Sequence, residues 1–366
     1  MKYTGLLSCI IFLLFSCYPQ YTLLVGTYTS GNKSKGIHAY DFNNKNGTAT
    51  EIGNIIAANP SYLAVNKNGS RIYSVNENAK GKISSFTYNP KTGAIGYLND
   101  ADNSSSSPCY IAIDKTGHWL FAGNYSSGNL SVHEILADGS IGEMKQIIQH
   151  KGYSVNKDRQ QAPHVHCTYI SPDNKFLYVP DLGLDKVMIY PFDANSGKLD
   201  DKNSTFYQVH PGGGPRHITF TKDGKLGFLV EEISGAVVVL QRQNNRLKEL
   251  QRTIDLPAGE AGAGADIHLS PNEKFLYVSQ RSNSSIQIYK IDIKNGRLTY
   301  QEQQSTIGKW PRNFSIHPSG KFLIAGNQHT HNSVIFKINK KTGLLTDTGN
   351  RIDVGSPVCH VWVKKK

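Results

Sequence analysis

The 366-residue sequence has little of what helical or disulfide-bonded proteins need. It contains three methionines and five cysteines, and long runs of Ala, Leu and Glu are scarce. The cysteines lack metal-ligand spacing, so we predict buried small residues rather than a disulfide framework. Glycine, with 34 residues, and tyrosine, with 19, are abundant instead. This balance disfavours a mostly helical protein and favours strands joined by turns.

The sequence also lacks an apolar run long enough to cross a membrane. The run from Leu6 to Phe15 is too short to span a bilayer but has the length of a signal-peptide core. It leads into Leu14-Phe15-Ser16-Cys17, which resembles the lipobox of a bacterial lipoprotein signal. We predict a lipoprotein signal peptide over residues 1–16, lipidation of Cys17 and a short tether over residues 17–21. The predicted location is periplasmic or cell-surface, with the lipid anchor as the only membrane contact. An ordinary cleaved signal with a chance cysteine is the alternative.

Acidic residues are outnumbered by basic ones, which gives a formal charge of +12. A basic balance suits nucleic acid, an acidic membrane surface or an anionic small ligand. The only basic run is Lys364 to Lys366, and an aromatic-plus-basic RNA signature is missing. We therefore set nucleic acid aside as a partner.

Internal repeats dominate the rest of the chain. The segment from Pro60 to Asn76 reads as two apolar strands around a polar turn, and related copies begin at Pro108, Pro163, Pro215, Ala265 and Pro311. A truncated copy begins at Pro357, so six intervals cover 297 residues with a mean period of 49.5. An alternating, edge-like hairpin unit follows each copy. Four strands in such a period are typical of propeller blades.

The two ends of the chain complete the count of repeats. The C-terminal SPVCHVWV supplies one strand, and the N-terminal TLLVGTY lacks the partner that should precede it. Joining them completes a seventh blade and removes exposed sheet edges. We predict an all-β fold, a single seven-bladed β-propeller over residues 22–366, closed between its N- and C-terminal strands.

Aligning the repeats on their turns brings polar residues to one mouth of the central channel. The equivalent positions at the start of strand one are Ser61, Cys109, His166, Arg216, Ala265 and Arg312. The equivalent pairs at the end of strand two are Asn76-Glu77, Asn124-Tyr125, Asp181-Leu182, Glu231-Glu232, Gln280-Arg281 and Asn327-Gln328. Because clustered arginines repel one another unless acids or a ligand offset them, we predict an anion site there. A ring of polar residues that only solvates the channel entrance is the alternative.

Two further motifs at this mouth have simpler explanations. His164 and His166 share one side of a strand, as a metal half-site would, but no acidic third ligand has motif spacing. We predict no metal and no cofactor. Gly212 to Gly214 and Gly262 to Gly264 have the glycine content of phosphate loops, but neither is followed by a helix. Close passage of backbone at blade junctions explains these glycines better.

Four segments resemble one known family. DRQQAPHVHC (Asp158 to Cys167), GPRHITFTKDGK, DIHLSPNEKFLYVSQR and WPRNFSIHPSGKFLIAGNQ look like the lactonase family of seven-bladed propellers, which includes a bacterial 6-phosphogluconolactonase and fungal muconate-lactonizing enzymes. The resemblance implies a site made of His164 or His166, Arg216, Glu232 and Arg281. Two positions depart from the family pattern: Glu231 replaces an Asn and Gln280 replaces another.

The leading hypothesis is metal-independent hydrolysis of a sugar-acid lactone by a monomer. Arg216 and Arg281 would stabilise the oxyanion and hold an anionic group of the substrate. Glu232 is the first choice as general base, with His166 or His164 as the alternative base or as the acid. The further substrate-binding candidates are Arg312, Asn327, Glu231 and Asp181. A muconate-type lactonizing cycloisomerase and a non-catalytic sugar- or peptide-binding propeller are the competing hypotheses.

Overall fold

Each sequence repeat folds into one antiparallel sheet, and seven such sheets surround a central channel. The structure, a computed structural model, describes residues 20–31 and 34–365. The predicted seven-bladed β-propeller is confirmed, and the described residues contain strands and turns but no helix. The predicted signal segment 1–16 and Cys17 lie outside the described residues.

The strands of each blade follow in order from the channel outwards. Blade 1 consists of β29 (Pro357–Lys364), β1 (Tyr21–Thr27), β2 (Gly36–Phe42) and β3 (Ala49–Ile56). Blade 2 consists of β4 (Leu63–Val65), β5 (Arg71–Asn76), β6 (Gly81–Tyr88) and β7 (Ile95–Ser105). Blade 3 consists of β8 (Pro108–Ile113), β9 (Trp119–Asn124), β10 (Asn129–Ile135) and β11 (Ile141–Gln149). Blade 4 consists of β12 (Tyr169–Ile170), β13 (Phe176–Asp181), β14 (Lys186–Asp193) and a divided outer strand, β15 (Lys198–Leu199) with β16 (Thr205–Gln208).

The remaining three blades have four strands each. Blade 5 consists of β17 (Pro215–Phe220), β18 (Leu226–Glu231), β19 (Val237–Gln243) and β20 (Arg246–Thr253). Blade 6 consists of β21 (Gly264–Leu269), β22 (Phe275–Gln280), β23 (Ser285–Asp292) and β24 (Arg297–Ser305). Blade 7 consists of β25 (Pro311–Ile316), β26 (Phe322–Asn327), β27 (Asn332–Ile338) and β28 (Leu345–Asp353).

The ring closes where the sequence predicted. Strand β29 pairs with β1 in antiparallel register, with Leu24 opposite Val361 and Gly26 opposite Cys359. Beyond the last strand pair, the Lys365 amide donates a hydrogen bond to the Gln20 carbonyl at 2.8 Å. This pairing gives β1 a partner on both sides and completes a four-stranded blade, so β1 is not left as an open edge.

The core lies between blades rather than within one. The second strands β9, β22 and β26 are buried at every position, because both faces of each sheet pack against neighbouring blades. The outer strand β11 alternates partly buried and exposed residues along most of its length. Cys109, Cys167 and Cys359 are free and buried, which confirms the prediction of small packed residues. Burial raises the pKa of the Cys167 and Cys359 thiols to about 12, so neither is reactive.

The topology gives the disc two different faces. Turns between strands one and two, and between strands three and four, lie at one face, which we call the turn face. Loops between strands two and three, and loops between blades, lie at the opposite face, which we call the loop face. In blade 1 the two chain ends take the position of the first turn, so Gln20 and Lys365 belong to the turn face.

The fourth residue of the first turn has a left-handed backbone in blades 2 to 7. Glycine occupies it four times, but Asn174 (φ 61°) and Glu273 (φ 57°) occupy it in blades 4 and 6. Each of these two side chains accepts a hydrogen bond from a backbone amide of the preceding blade, Lys115 at 2.8 Å and Lys222 at 2.7 Å. The strain of about 1 kcal/mol is therefore offset by a link between blades.

Candidate active site

A cavity of about 490 Å³ opens at the loop face of the channel. Residues from three structural classes line it. Strand-one positions contribute Cys109, His166 and Arg312. The residues that directly follow second strands contribute Tyr28, Glu77, Tyr125, Glu232 and Arg281. Other loop residues in the lining are Arg159, Gly262, Ala263 and Trp310. The repeat symmetry that the sequence revealed thus brings polar side chains from all seven blades and a long loop into one chamber.

Glu232 is the centre of the larger charged group in this cavity. Its Oε2 accepts hydrogen bonds from Nε of Arg216 at 2.9 Å and pairs with an NH2 nitrogen of Arg281 at 3.1 Å. Its Oε1 accepts from Arg159 at 2.6 Å. Three guanidinium groups therefore surround one carboxylate, and the group retains an excess positive charge.

This charge excess fixes the protonation of Glu232 and His166. Burial opposes ionisation of Glu232, but the charges of Arg281 and Arg216 outweigh it and hold the pKa of that carboxyl well below its usual value. Burial and the charge of Arg216 lower the pKa of His166 well below its usual value, although Glu232 acts against them. At neutral pH the pair therefore consists of a carboxylate and a neutral imidazole, with Nε2 and Oε2 separated by 3.9 Å.

Arg281 is held by contacts on three sides. Its Nε donates to the Ala263 carbonyl at 3.2 Å, and its guanidinium carbon lies 5.2 Å from the ring centre of Trp310. Burial lowers the pKa of Arg281 to about 10 despite the Glu232 charge, so it stays protonated at neutral pH. Its position is thus fixed by a carbonyl, an aromatic face and a carboxylate before any ligand binds.

A second, neutral group lies on the other side of the cavity. The Tyr28 hydroxyl donates to Oε2 of Glu77 at 2.8 Å, and the Ser61 hydroxyl donates to the same oxygen. Arg312 lies 3.9 Å from Oε1 of Glu77 and stacks over the Tyr28 ring at 5.6 Å. One guanidinium faces one carboxylate here, so the formal charge of this group is zero.

Arg216 lies beneath the cavity rather than on its wall. It is 1 % exposed and lines a much smaller cavity deeper in the channel, which shares Glu77, Cys109 and Arg312 with the larger one. An NH1 hydrogen bond to the Ala265 carbonyl and a 3.2 Å contact with Nε2 of His217 hold its guanidinium. His217 is held in turn by Asp266, 2.8 Å from its Nδ1.

The predicted site residues divide into two groups in space. His166, Glu232, Arg281 and Arg312 line the cavity, with Arg216 directly below. His164 does not line it: its ring stacks on Tyr125 and its Nδ1 lies 2.9 Å from the Tyr125 carbonyl oxygen. The remaining three predicted residues, Glu231, Asp181 and Asn327, are fully buried and also lie outside the lining.

Each of the three buried residues has partners inside the fold. Glu231 accepts from Arg252 at 2.7 Å, Asp181 lies 2.6 Å from Nδ1 of His150, and Asn327 donates to the Thr306 carbonyl at 3.0 Å. These contacts tie the end of a second strand to neighbouring loops and outer strands. The geometry thus gives them a part in blade packing.

Sequence reasoning missed three charged or aromatic residues of the cavity, namely Tyr28, Arg159 and Trp310. Arg159 comes from the long loop 150–168, and Trp310 comes from the loop before β25 with a left-handed φ of 66°. Both belong to loops that the repeat alignment does not cover. The only signal for Arg159 was its place in the DRQQAPHVHC segment.

The predicted close passage of backbone is confirmed at Gly262, where a Cβ would meet the Ile233 carbonyl oxygen at 2.5 Å. At Gly213 the close neighbour is a side chain instead, because a Cβ there would lie 2.6 Å from Oε2 of Glu231. Within residues 20–31 and 34–365, no group of three or more His, Cys, Asp or Glu side chains is arranged to hold a metal ion. The same residues include no helix long and apolar enough to cross a membrane.

Comparison with known proteins agrees with this architecture. A sequence model of the family described as "Lactonase, 7-bladed beta-propeller" matches residues 22–362. The chain belongs to this family. The resemblance seen in the repeat motifs is confirmed, and it extends over almost all of the described residues.

Relatives of this lactonase family member include proteins with assigned activities. A 6-phosphogluconolactonase of Formosa agariphila is 36% identical, with 81% of this chain and 87% of the relative covered. A crystal structure from Bacteroides fragilis, provisionally described as a 6-phosphogluconolactonase, matches with a TM-score of 0.89 and 37% identity over 94% of this chain and 98% of the other. A periplasmic gluconolactonase of Pseudomonas aeruginosa matches with a TM-score of 0.89 and 32% identity over 94% and 99%.

Proposed function

We propose that the protein hydrolyses a sugar-acid lactone in the cavity at the loop face. The observation that carries this proposal is the pairing of a neutral His166 with a carboxylate that three arginines surround. Lactone opening by water needs a base for the water and cationic donors for the oxyanion, and this group supplies both. The activities named for the relatives support the same reaction class.

His166 is the general base in this proposal. Glu232 was the first choice from sequence, but its three arginine partners make it a weak base because they stabilise the ionised form. The 3.9 Å between Nε2 of His166 and Oε2 of Glu232 allows a water molecule at about 2.8 Å from both atoms. His166 would take a proton from this water while Glu232 accepts its second hydrogen bond and orients it.

An anionic substrate would strengthen the base that attacks it. Positive charge from Arg216 is one cause of the low pKa of His166. A phosphate or carboxylate placed among Arg159, Arg281 and Arg312 would offset part of this field and raise the pKa towards the ordinary range. Binding energy from a charged group remote from the lactone ring would then be used in catalysis.

Arg281 is the group that we assign to the oxyanion. It lines the cavity, whereas Arg216 is buried beneath Glu232 and acts by positioning that carboxylate. A guanidinium that is fixed before the reaction stabilises a developing negative charge without reorganisation. The four arginines and two glutamates of the chamber leave a formal charge of +2, which suits a phosphate or a pair of carboxylates.

The neutral side of the cavity would bind the polyol part of the substrate. The Tyr28 hydroxyl and the Glu77 carboxylate line the cavity and provide a donor and acceptors in a group without net charge. Sugar hydroxyls match such a surface, because they donate and accept hydrogen bonds with equal ease. The chamber of about 490 Å³ has a volume typical of small-ligand sites.

We further propose that the protein is a monomer anchored through lipidated Cys17 and located in the periplasm or at the cell surface. The apolar run and lipobox-like segment of the sequence support the anchor. The periplasmic assignment of the Pseudomonas relative supports the compartment. In that location the substrate would be an exported or extracellular lactone rather than a cytosolic intermediate.

The test is a pH-stat screen of 6-phosphogluconolactone, gluconolactone and other aldonolactones, corrected for spontaneous opening. We expect catalysis by the wild type that the His166→Gln variant loses. A parallel arm with a carboxylated muconate tests the cycloisomerase alternative, which would consume the diene absorbance. Failure of the wild type to open any lactone, with sugar binding retained, would support a non-catalytic propeller and overturn the proposal.

A further inference from the structure

The positive charge of the protein is concentrated on the face opposite the cavity. The thirteen turns of the turn face contain twelve basic residues, all lysines, and five acidic ones. The lysines are Lys45, Lys67, Lys91, Lys115, Lys175, Lys222, Lys225, Lys274, Lys294, Lys321, Lys340 and Lys341, and all are exposed. The described residues of the loop-face loops contain seven basic and six acidic residues, which nearly balance. The anion site therefore does not account for the basic balance of the chain.

The acids of the turn face neutralise only part of this charge. Asp114 is buried, and its Oδ1 accepts from the amides of Gly117, His118 and Trp119. Asp173 pairs with Arg242 at 2.7 Å, a further basic residue that lies beside the turns in β19. A broad lysine surface remains around the rim of the disc. Such a field repels itself and costs stability unless an anionic partner offsets it.

The chain enters the propeller at this same face. Strand β1 runs from Tyr21 at the turn face to Thr27, and the next residue, Tyr28, lines the cavity. Its seven residues separate Gln20 from the cavity by about 23 Å. Cys17 lies three residues before Gln20 in the sequence, so a lipid on Cys17 would tether the chain from its turn-face end.

We infer that the turn face binds a membrane surface rich in anionic phospholipid, which directs the cavity away from the bilayer. Lysine is a compact point charge suited to a diffuse anionic surface, and the absence of arginine from the thirteen turns argues against bidentate recognition of single phosphates. Leu136 and Ile293 lie in these turns with 43% and 44% of their surfaces exposed, and they add apolar contacts at headgroup depth. The lysines are spread over turns of all seven blades, and the sequence lacks an aromatic-plus-basic RNA signature, which disfavours nucleic acid.

Sedimentation with lipid vesicles tests this inference without the anchor. The mature chain, which begins at residue 17 and carries Cys17→Ser, is mixed with vesicles of phosphatidylcholine alone or with 30% phosphatidylglycerol. We expect binding only to the anionic vesicles, weakened strongly as salt is raised from about 0.05 to 0.5 M. A quadruple variant of turn-face lysines should bind more weakly, by about fivefold for each lysine that reaches the headgroups. This variant carries Lys45→Gln, Lys67→Gln, Lys340→Gln and Lys341→Gln.

A matched control carries the same charge change on the other face. This control alters four exposed lysines of the loop face and should bind like the parent. It carries Lys35→Gln, Lys80→Gln, Lys151→Gln and Lys157→Gln. Equal losses for both quadruple variants, equal binding to neutral vesicles, or tighter binding to duplex DNA than to anionic vesicles would each overturn the inference. Both variants should keep the parent's melting temperature, so a loss of binding cannot be attributed to unfolding.

Fluorescence quenching then tests the orientation. Because the three described cysteines are buried, a thiol-reactive probe on Leu136→Cys or Lys80→Cys would label one face alone. Brominated anionic lipid should quench the probe at Leu136→Cys at least twofold more than the probe at Lys80→Cys. Equal quenching, or stronger quenching at Lys80→Cys, would contradict an outward-facing cavity.

Discussion

Glu231 and Glu232 are neighbours in the chain but belong to different parts of the molecule. Strand β18 ends at Glu231, whose carboxylate points into the blade and pairs with Arg252. Glu232 is the first residue of the following loop, and its carboxylate reaches the cavity and Arg281. The same division holds in other repeats, where Asn76, Asn124, Gln280 and Asn327 end their strands and are buried. One step along the backbone therefore separates a packing position from a site position.

The largest expected effect is a loss of turnover when a residue that lines the cavity is replaced. His166→Gln should lower kcat/KM by about 100- to 10,000-fold, because a positioned base contributes that much. The matched control is His150→Gln, which removes a buried histidine that pairs with Asp181 at a strand end. We expect that control to keep its turnover and to lose thermal stability. Equal activity losses in the two variants would contradict the distinction between packing positions at strand ends and site positions in the cavity.

Two arginines give the next largest contrast, because each pairs with one of the neighbouring glutamates. Arg281→Ala should lower kcat by about 100- to 1,000-fold, the range for removal of one oxyanion donor. Arg252→Ala, the equivalent truncation beside Glu231, should leave kcat within about twofold. The measurement is initial-rate kinetics with the lactone that the pH-stat screen identifies. A kcat loss for Arg252→Ala as large as that for Arg281→Ala would contradict the assignment of the oxyanion to Arg281.

The sequence predicted the fold and most of the charged residues in the cavity, because both follow from repetition. Strand count, closure and the positions of His166, Arg281 and Arg312 could be read by aligning seven copies of one pattern. The alignment could not show where each second strand ends, so both residues of each terminal pair were candidates and Glu231, Asp181 and Asn327 were included. Arg159 and Trp310 lie in loops that do not repeat, and their contribution depends on tertiary contacts alone.

Replacing a buried residue at a strand end should lower stability and leave the reaction rate unchanged. Glu231→Gln keeps the shape of the side chain but removes the charge that Arg252 and the Ser234 hydroxyl contact. We expect the free energy of unfolding to fall by about 2 kcal/mol, which is within the usual range for a hydrogen bond to a charged group, with kcat unchanged. Chemical denaturation followed by fluorescence measures the first quantity. A kcat loss above tenfold at wild-type stability would instead move Glu231 into the site.

The smallest expected effect is a change of kcat/KM at acidic pH. It tests the lowered pKa values of the cavity residues His166 and Glu232. Burial and Arg216 lower the pKa of His166, so the neutral base persists below the pH at which an ordinary histidine is protonated. Glu232, whose pKa is also lowered, stays ionised over the same range. A base with a pKa of about 6.5 would lose about tenfold in kcat/KM between pH 7.5 and 5.5. We expect kcat/KM of the wild type to change by less than about twofold over this interval, because both groups lose their active forms only as pH falls through their lowered pKa values.

The profile must be corrected for spontaneous opening, which hydroxide accelerates, and kcat/KM is the relevant constant because it reports the free enzyme. A midpoint near pH 6.5 would transfer the base function to a histidine with an ordinary environment. A flat wild-type profile, together with loss of turnover in the His166→Gln variant, would identify His166 as the base that takes the proton.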